Sequence, residues 1–116
     1  MDPLTRQIRE RRERWVESGG FKFKIRRPTE YELTKWEREG KVTLGIDLVM
    51  THIVDWEGVR ECDILGSAGS DQLVAFSVAT YREWMEDRPD LWGQVVKAIR
   101  EDLAANEARI QELAKK

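Results

Sequence analysis

The stretch KVTLGIDLVMTHIVDW, residues 41–56, is apolar enough to be buried and fits two kinds of secondary structure. Strand-like alternation runs through Val42, Leu44, Ile46, Leu48 and Met50, whereas a helical stripe runs through Val42, Ile46, Val49, Met50 and Ile53. Strands are rarely so long, so the length predicts a helix. On this interpretation Trp56 extends the apolar face of that helix, and Gly58 supplies the left-handed residue that ends it.

The residues before this stretch predict a helix followed by one extended segment. Asp2 is suited to cap a helix and Pro3 to occupy its first position, and the glycines of residues 18–20 end the helix. FKFKIR, residues 21–26, alternates between apolar and basic side chains, as a half-buried strand does. We expect this segment to be an edge strand or an isolated extended arm.

Local capping patterns predict two further helices. Thr29 and Glu32 have the spacing of a capping box at the start of a short helix. Residues 63–72, DILGSAGSDQ, are rich in glycine and serine and are expected to form a loop. After this loop Ser77 is suited to cap the next helix, with Phe76 placed to staple its first turn.

The last helix carries the longest regular pattern in the chain. Arg88 and Pro89 mark its start, because the residue before a proline avoids the helical conformation. Spacings of four and three then alternate along one seam, formed by Trp92, Val96, Ile99, Leu103, Asn106, Ile110 and Leu113. Three heptads span about 32 Å, more than a small core needs, so we expect the seam to bind a partner or a second copy of the chain. Asn106 within it would set register or partner number.

These segments together predict a mainly α fold. It comprises a small helical domain of four to five helices, one short strand-like segment near the N-terminus and a long C-terminal helix. The 116 residues are enough for one domain with one core. We expect residues 1–20 to form a basic helical extension and residues 21–116 to form the single helical domain.

Charge is distributed unevenly along the chain. Residues 1–28 contain nine Lys/Arg and four Asp/Glu, a net charge of +5, and the remaining residues have a net charge of −7. Acidic residues interrupt the basic ones in the first helix, which argues against a phosphate-binding stripe for nucleic acid. No apolar run is long enough to span a membrane, the charged N-terminus lacks a secretory signal, and the single cysteine suits a reducing cytoplasm.

Few residues in the chain could carry catalysis. His52 is the only histidine, so a catalytic triad or a multi-histidine metal site would depend on one residue, which we expect on a helix flank near the core. The spacing of four nearby acids matches no EF-hand, and we expect them to form a solvated turn: Asp55, Glu57, Glu61 and Asp63. The sequence therefore predicts a protein that is not an enzyme and needs no metal or cofactor.

Five tryptophans are many for a chain of this length. Three of them fit predicted helix faces and are expected in the core: Trp36, Trp84 and Trp92. Trp15 belongs to a helix with little other apolar surface, so an exposed Trp15 would be a binding anchor. The candidate partner-binding residues are thus Trp15, Trp56, Val96, Ile99, Leu103, Asn106, Ile110 and Leu113.

Five motifs follow one another along the chain before a charged terminal helix: FKIRRPT (23–29), KVTLGIDLVMTHIVDWEGV (41–59), DILG (63–66) before a glycine- and serine-rich loop, SDQLVAFS (70–77) and YREWMEDRPDLW (81–92). Their order resembles the small tail assembly chaperones of long-tailed bacteriophages and prophages. The W-E-G-V and V-x-F-S elements, residues 56–59 and 74–77, are similar to elements of that family. The resemblance covers residues 21–116.

The resemblance implies a helical protein in the cytoplasm of an infected or lysogenic bacterium that is absent from the mature virion. It would bind the tape measure protein, keep that long apolar chain soluble and help recruit tail tube protein. A structural tail-completion or head-tail connector protein is the alternative, and such proteins often form rings. A DNA-binding regulator that uses the basic first helix is a third hypothesis.

Overall fold

Three antiparallel strands, covered on one side by helices, form the fold, which a computed structural model describes for residues 2–40 and 46–115. The strands are β1 (Glu13–Ser18), β2 (Phe21–Arg26) and β3 (Ile53–Glu57), in the sheet order β1-β2-β3. The helices are α1 (Pro3–Glu10), α2 (Glu30–Arg38), α3 (Ile46–Thr51), α4 (Glu61–Leu65), α5 (Val78–Glu86) and α6 (Pro89–Ala114), with a 3-10 turn at Gly66–Ala68. The fold is therefore α+β.

The prediction of a mainly α fold with one strand-like segment is wrong. Residues 13–18, expected in the first helix, form β1, because α1 ends at Glu10 and the chain then pairs with β2. Gly19 and Gly20 have φ angles of +59° and +86°, which side-chain-bearing residues rarely adopt, and they make the tight turn between the two strands. The glycines thus join a hairpin, which makes β2 the central strand and not an edge strand or an isolated arm.

The predicted helix over residues 41–56 is also wrong in its second half. Residues 41–45 lie outside the described residues, α3 ends at Thr51, and β3 follows at once. The register shifts between Lys24 and Ile25, which pair with Asp55 and Ile53, so Val54 has no residue opposite it. This bulge turns both Ile53 and Trp56 towards the core, although their spacing of three would put them on opposite faces of a regular strand.

Helix starts follow the predictions closely. The Asp2 side chain accepts a hydrogen bond from the backbone N–H of Thr5 at 2.9 Å, and α1 begins at Pro3. Thr29 and Glu32 form the predicted capping box, with both reciprocal bonds at 3.0 Å. Ser77 caps α5, and α6 begins at Pro89 with Arg88 before it. These four predictions are confirmed, because each depends only on neighbouring residues.

Aromatic side chains fill the space between the sheet and helices α5 and α6. Phe23 on β2 lies opposite Trp56 on β3, and both pack against Trp84 of α5, with ring centroids 6.4 Å and 5.9 Å away. The Trp56 ring also meets Phe76 edge-on at 5.2 Å and donates a hydrogen bond from Nε1 to the Val74 carbonyl oxygen at 2.7 Å. Trp56 therefore buries its ring while its indole N–H keeps a hydrogen-bond partner.

The other side of the sheet faces water. Lys22 of β2 stands between Glu17 of β1 and Glu57 of β3, and Lys24 stands opposite Asp55. β2 alternates between inward apolar and outward basic residues, as expected for the central strand of a sheet covered on one face only. Opposite charges on neighbouring strands favour this register.

Truncation from the N-terminus tests whether the first residues form an extension or part of the sheet. None of the residues of Pro3–Glu10 is buried, whereas β1 pairs with β2 along its length and Ser18 donates a buried hydrogen bond to the Leu91 carbonyl oxygen at 2.8 Å. We expect removal of residues 2–9 to shift the urea midpoint only slightly. Removal of residues 2–18 should abolish cooperative unfolding, and equal effects of the two truncations would contradict this assignment.

A second prediction concerns the Tyr81 hydroxyl. Tyr81 is buried, and its oxygen has no hydrogen-bond partner among residues 2–40 and 46–115. Because an unpaired buried hydroxyl destabilises the folded state, Tyr81→Phe should raise the free energy of unfolding by about 1 kcal/mol. Tyr31→Phe removes an exposed hydroxyl and serves as the control, with no expected change. Urea unfolding measures both, and a loss of stability in Tyr81→Phe would contradict the prediction.

Candidate partner-binding surface

Helix α6 is divided into a buried first half and a projecting second half. Leu91, Val95 and Ile99 are fully buried against the sheet and the other helices. Beyond Leu103 the apolar side chains become exposed, and Leu113 has 59% of its surface accessible to water. The helix therefore runs about three turns past the core that its first half helps to form.

The predicted seam along α6 is thus divided between two environments. Its first part belongs to the core of the chain, where Val96 and Ile99 are buried and Leu103 is partly buried. Its last part, Ile110 and Leu113, is exposed. Only this last part is available to another protein without unfolding the chain.

Asn106 lies between these two parts and is already engaged within the chain. Its Nδ2 donates to Glu30 Oε1 at 3.0 Å, and its Oδ1 accepts from Arg109 Nη2 at 3.1 Å. The side chain therefore links α6 to the first turn of α2. With its oxygen and its nitrogen both bonded inside the chain, Asn106 connects α6 to α2 by way of Glu30.

The two tryptophans proposed as anchors lie in opposite environments. Trp56 is buried in the core on β3, where it cannot contact a partner. Trp15 lies on the outward face of the edge strand β1, is 39% exposed, and has Lys24 Nζ 5.9 Å from its ring centroid. This distance is within the range of a cation–π contact.

His52 is buried in the core immediately after α3. Its Nδ1 lies 2.6 Å from Thr51 Oγ1 and 3.1 Å from the Leu48 carbonyl oxygen, and its ring meets Trp36 of α2 edge-on at 5.5 Å. Its Nε2 lies 3.5 Å from Glu32 Oε2. His52 thus packs α2 against α3 and is closed to a substrate.

Burial determines the protonation of this pair. Desolvation lowers the pKa of His52 below its usual value, and the nearby Glu32 carboxylate offsets this only in part. Burial alone would raise the pKa of Glu32, but its hydrogen bond from the Thr29 backbone and the charges around it hold that pKa below its usual value. At neutral pH His52 is therefore neutral and Glu32 ionised.

Within residues 2–40 and 46–115, no group of three or more His, Cys, Asp and Glu side chains is placed to hold a metal ion. None of the described helices is both long and apolar enough to cross a membrane. Cys62 has a free thiol, with its Sγ 3.7 Å from Asp71 Oδ1.

A cleft that the sequence did not predict lies between the N-terminal segment and the projecting part of α6. It has a volume of about 510 Å³ and is lined by Ile8, Arg11, Arg12, Glu13, Arg14, Arg27, Asp102, Ala105, Asn106 and Arg109. The feature of the sequence that points towards this cleft is the net charge of +5 over residues 1–28. That signal could not show that Arg109, more than 80 residues later, lines the same cleft.

Comparison with protein-family models, with curated proteins and with solved structures gives no match for this chain.

The neutral, buried His52 predicts a pH-dependent stability. The unfolded chain takes up a proton as the pH falls through about 6.5, while the folded chain resists it, so protonation favours unfolding. We expect the free energy of unfolding to be constant above about pH 7.5 and to fall between about pH 6.5 and 5.5, by at most about 1.4 kcal/mol per pH unit. Urea unfolding at a series of pH values measures this slope.

The matched variant for this measurement is His52→Gln. It lacks the only histidine, so its free energy of unfolding, whatever its absolute value, should be nearly independent of pH over the same interval. Glu32 does not interfere, because its pKa lies below the usual value for a glutamate. A wild-type profile that is flat between about pH 6.5 and 5.5 would contradict a neutral, buried His52.

Proposed function

We propose that this protein is a phage tail assembly chaperone that binds an apolar helical segment of the tape measure protein through the projecting part of α6. The observation that carries this proposal is the exposure of Ile110 and Leu113, at 43% and 59%, on a helix whose first half is buried in the core. The core anchors the helix, so its end can be presented to a client without loss of the fold. The resemblance in residues 21–116 supplies the class of client.

Several features support a binding role for this part of the helix. Ile110 and Leu113 are three residues apart and therefore lie on one face. Leu103, seven residues before Ile110, continues this face back to the core and is only partly buried. A client helix with an apolar stripe could pack along this face, in the way that amphipathic helices bind to apolar surfaces.

We also propose where the chain acts and at which stage of tail assembly. The chain would act in the cytoplasm of the bacterial host, hold the tape measure protein soluble until tail tube protein assembles around it, and then leave before the virion is complete. The charged outer face of the sheet would keep the complex of chaperone and client in solution. A second copy of the chain could occupy the same face of α6 in the absence of a client.

Co-expression with a tape measure protein tests the function directly. We expect the wild-type chain to raise the soluble fraction of the tape measure protein severalfold over expression alone. The double variant Ile110→Ser/Leu113→Ser should lose most of this effect, because serine cannot make the apolar contacts with the client that isoleucine and leucine make. Centrifugation and quantitative gel analysis measure the soluble fraction.

The matched control is the double variant Leu65→Ser/Leu73→Ser. Both leucines are exposed, at 57% and 69%, and neither belongs to α6. The control should solubilise the client as the wild type does. A client equally soluble with and without the chain would refute the proposal, and a defined oligomer of six or more copies in light scattering of the chain alone would favour the connector alternative.

A further inference from the structure

The arginine-lined cleft brings together residues that are far apart in the sequence. Arg11 and Arg12 follow α1, Arg27 follows β2, and Arg109 lies on the projecting part of α6. The Arg27 backbone N–H donates to the Arg12 carbonyl oxygen at 2.7 Å, which continues the β1–β2 pairing by one step and places these two arginines side by side. The cleft is therefore built by the sheet and by α6 together.

Charge in the cleft is strongly unbalanced. Five arginines and only two acids, Glu13 and Asp102, line it. Arg14 is already neutralised, because its Nε lies 2.9 Å and 3.0 Å from the two carboxylate oxygens of Asp102. For the remaining four, no carboxylate of the described residues lies within 4.0 Å of the guanidinium: Arg11, Arg12, Arg27 and Arg109.

The guanidinium groups are close enough to repel one another. Burial lowers the pKa of Arg27 below its usual value, and the positive charges of Arg12 and Arg109 lower it further, while the carboxylates of Glu30 and Asp102 offset this only in part. Arg109 is held in position by the hydrogen bond from its Nη2 to Asn106 Oδ1. Like charges held together in this way are destabilising by themselves, and an anion bound between them would remove the repulsion.

We propose that this cleft binds the carboxylate side chains of an acidic polypeptide segment. Arginine pairs with carboxylates through two parallel hydrogen bonds, and the Arg14–Asp102 contact in the wall already has a carboxylate bound to a guanidinium. Ile8 and Ala105 add apolar surface to the same cleft, which suits a segment that carries apolar as well as acidic residues.

A polypeptide fits the cleft better than a nucleic acid does. Glu13 and Asp102 lie in the wall, where they would repel a continuous row of phosphates, and residues 29–116 have a net charge of −7. A segment with a few separate carboxylates can place each of them against one guanidinium and avoid these two acids. The cleft also lies between the N-terminal segment and α6, so its guanidinium groups do not form one continuous basic stripe.

The cleft adjoins the apolar face of α6 that was assigned to the client. Ala105, Asn106 and Arg109 of its wall are followed in the next turn by Ile110 and Leu113. One amphipathic segment can therefore contact both surfaces, with its apolar side on the helix and its acids in the cleft. The assignment of this segment to the client rests on the proposed function. The acid-binding site itself does not depend on that function.

The test uses the full chain and a fluorescein-labelled synthetic peptide of glutamate and leucine, with the leucines spaced along one helical face. The double variant Arg12→Gln/Arg109→Gln removes from the cleft two guanidinium groups that have no carboxylate partner among the described residues. The matched control, Arg9→Gln/Arg82→Gln, removes the same charge from two exposed arginines that do not line it. Fluorescence anisotropy measures the Kd, and circular dichroism melting verifies that both variants are folded.

We expect the cleft variant to weaken peptide binding by about tenfold or more, and the control by much less. The same peptide with glutamine in place of glutamate should bind the wild type as weakly as the acidic peptide binds the cleft variant. Equal weakening in the two variants would overturn the proposal, because it would show a general charge effect. Tighter binding of duplex DNA than of the acidic peptide, or no peptide binding at all, would also overturn it.

The result is separable from that of the proposed function. If the acidic peptide does not bind while Ile110→Ser/Leu113→Ser still abolishes solubilisation of the tape measure protein, the cleft proposal fails and the function stands. If the acidic peptide binds through the arginines while the tape measure protein is equally soluble without the chain, the site stands and its assignment to that client fails.

Discussion

The pairing of Phe23 with Trp56 across strands β2 and β3 is the contact on which the rest of the fold depends. Both rings face the helices, and Trp84 of α5 packs against both of them. The pair joins Ile25 and Ile53 in the apolar face of the sheet that the helices cover. The position of α6 depends also on β1, where Ser18 bonds to the Leu91 carbonyl oxygen and Arg14 pairs with Asp102.

Features that depend on adjacent residues could be predicted from the sequence, and features that depend on distant pairing could not. The caps at Asp2, Thr29 and Ser77 were predictable because a capping bond joins residues three positions apart. β1 was missed because ERWVES lacks clear alternation and becomes a strand only by pairing with β2. β3 was missed because the bulge at Val54 disrupts the period of two by which strands are recognised.

The same distinction between local and long-range features applies to the candidate site. The exposed end of α6 was within reach of sequence analysis, because the heptad seam is longer than a small core needs. Which half of the seam would be buried was not predictable, since this depends on where the sheet lies. The arginine cleft was out of reach, because Arg27 and Arg109 are brought together by the hairpin and α6, elements far apart in the chain.

The charged outer face of the sheet also limits how this chain can associate. Lys22 lies between Glu17 and Glu57, so the central row of cations is neutralised by acids on both sides within the chain. Apart from Trp15, which is 39% exposed, the residues named on this face are charged and lie beside opposite charges within the chain. A second sheet stacked on this face would have to remove these charges from water, which disfavours face-to-face stacking. The exposed end of α6 is therefore a better surface for association than the outer face of the sheet.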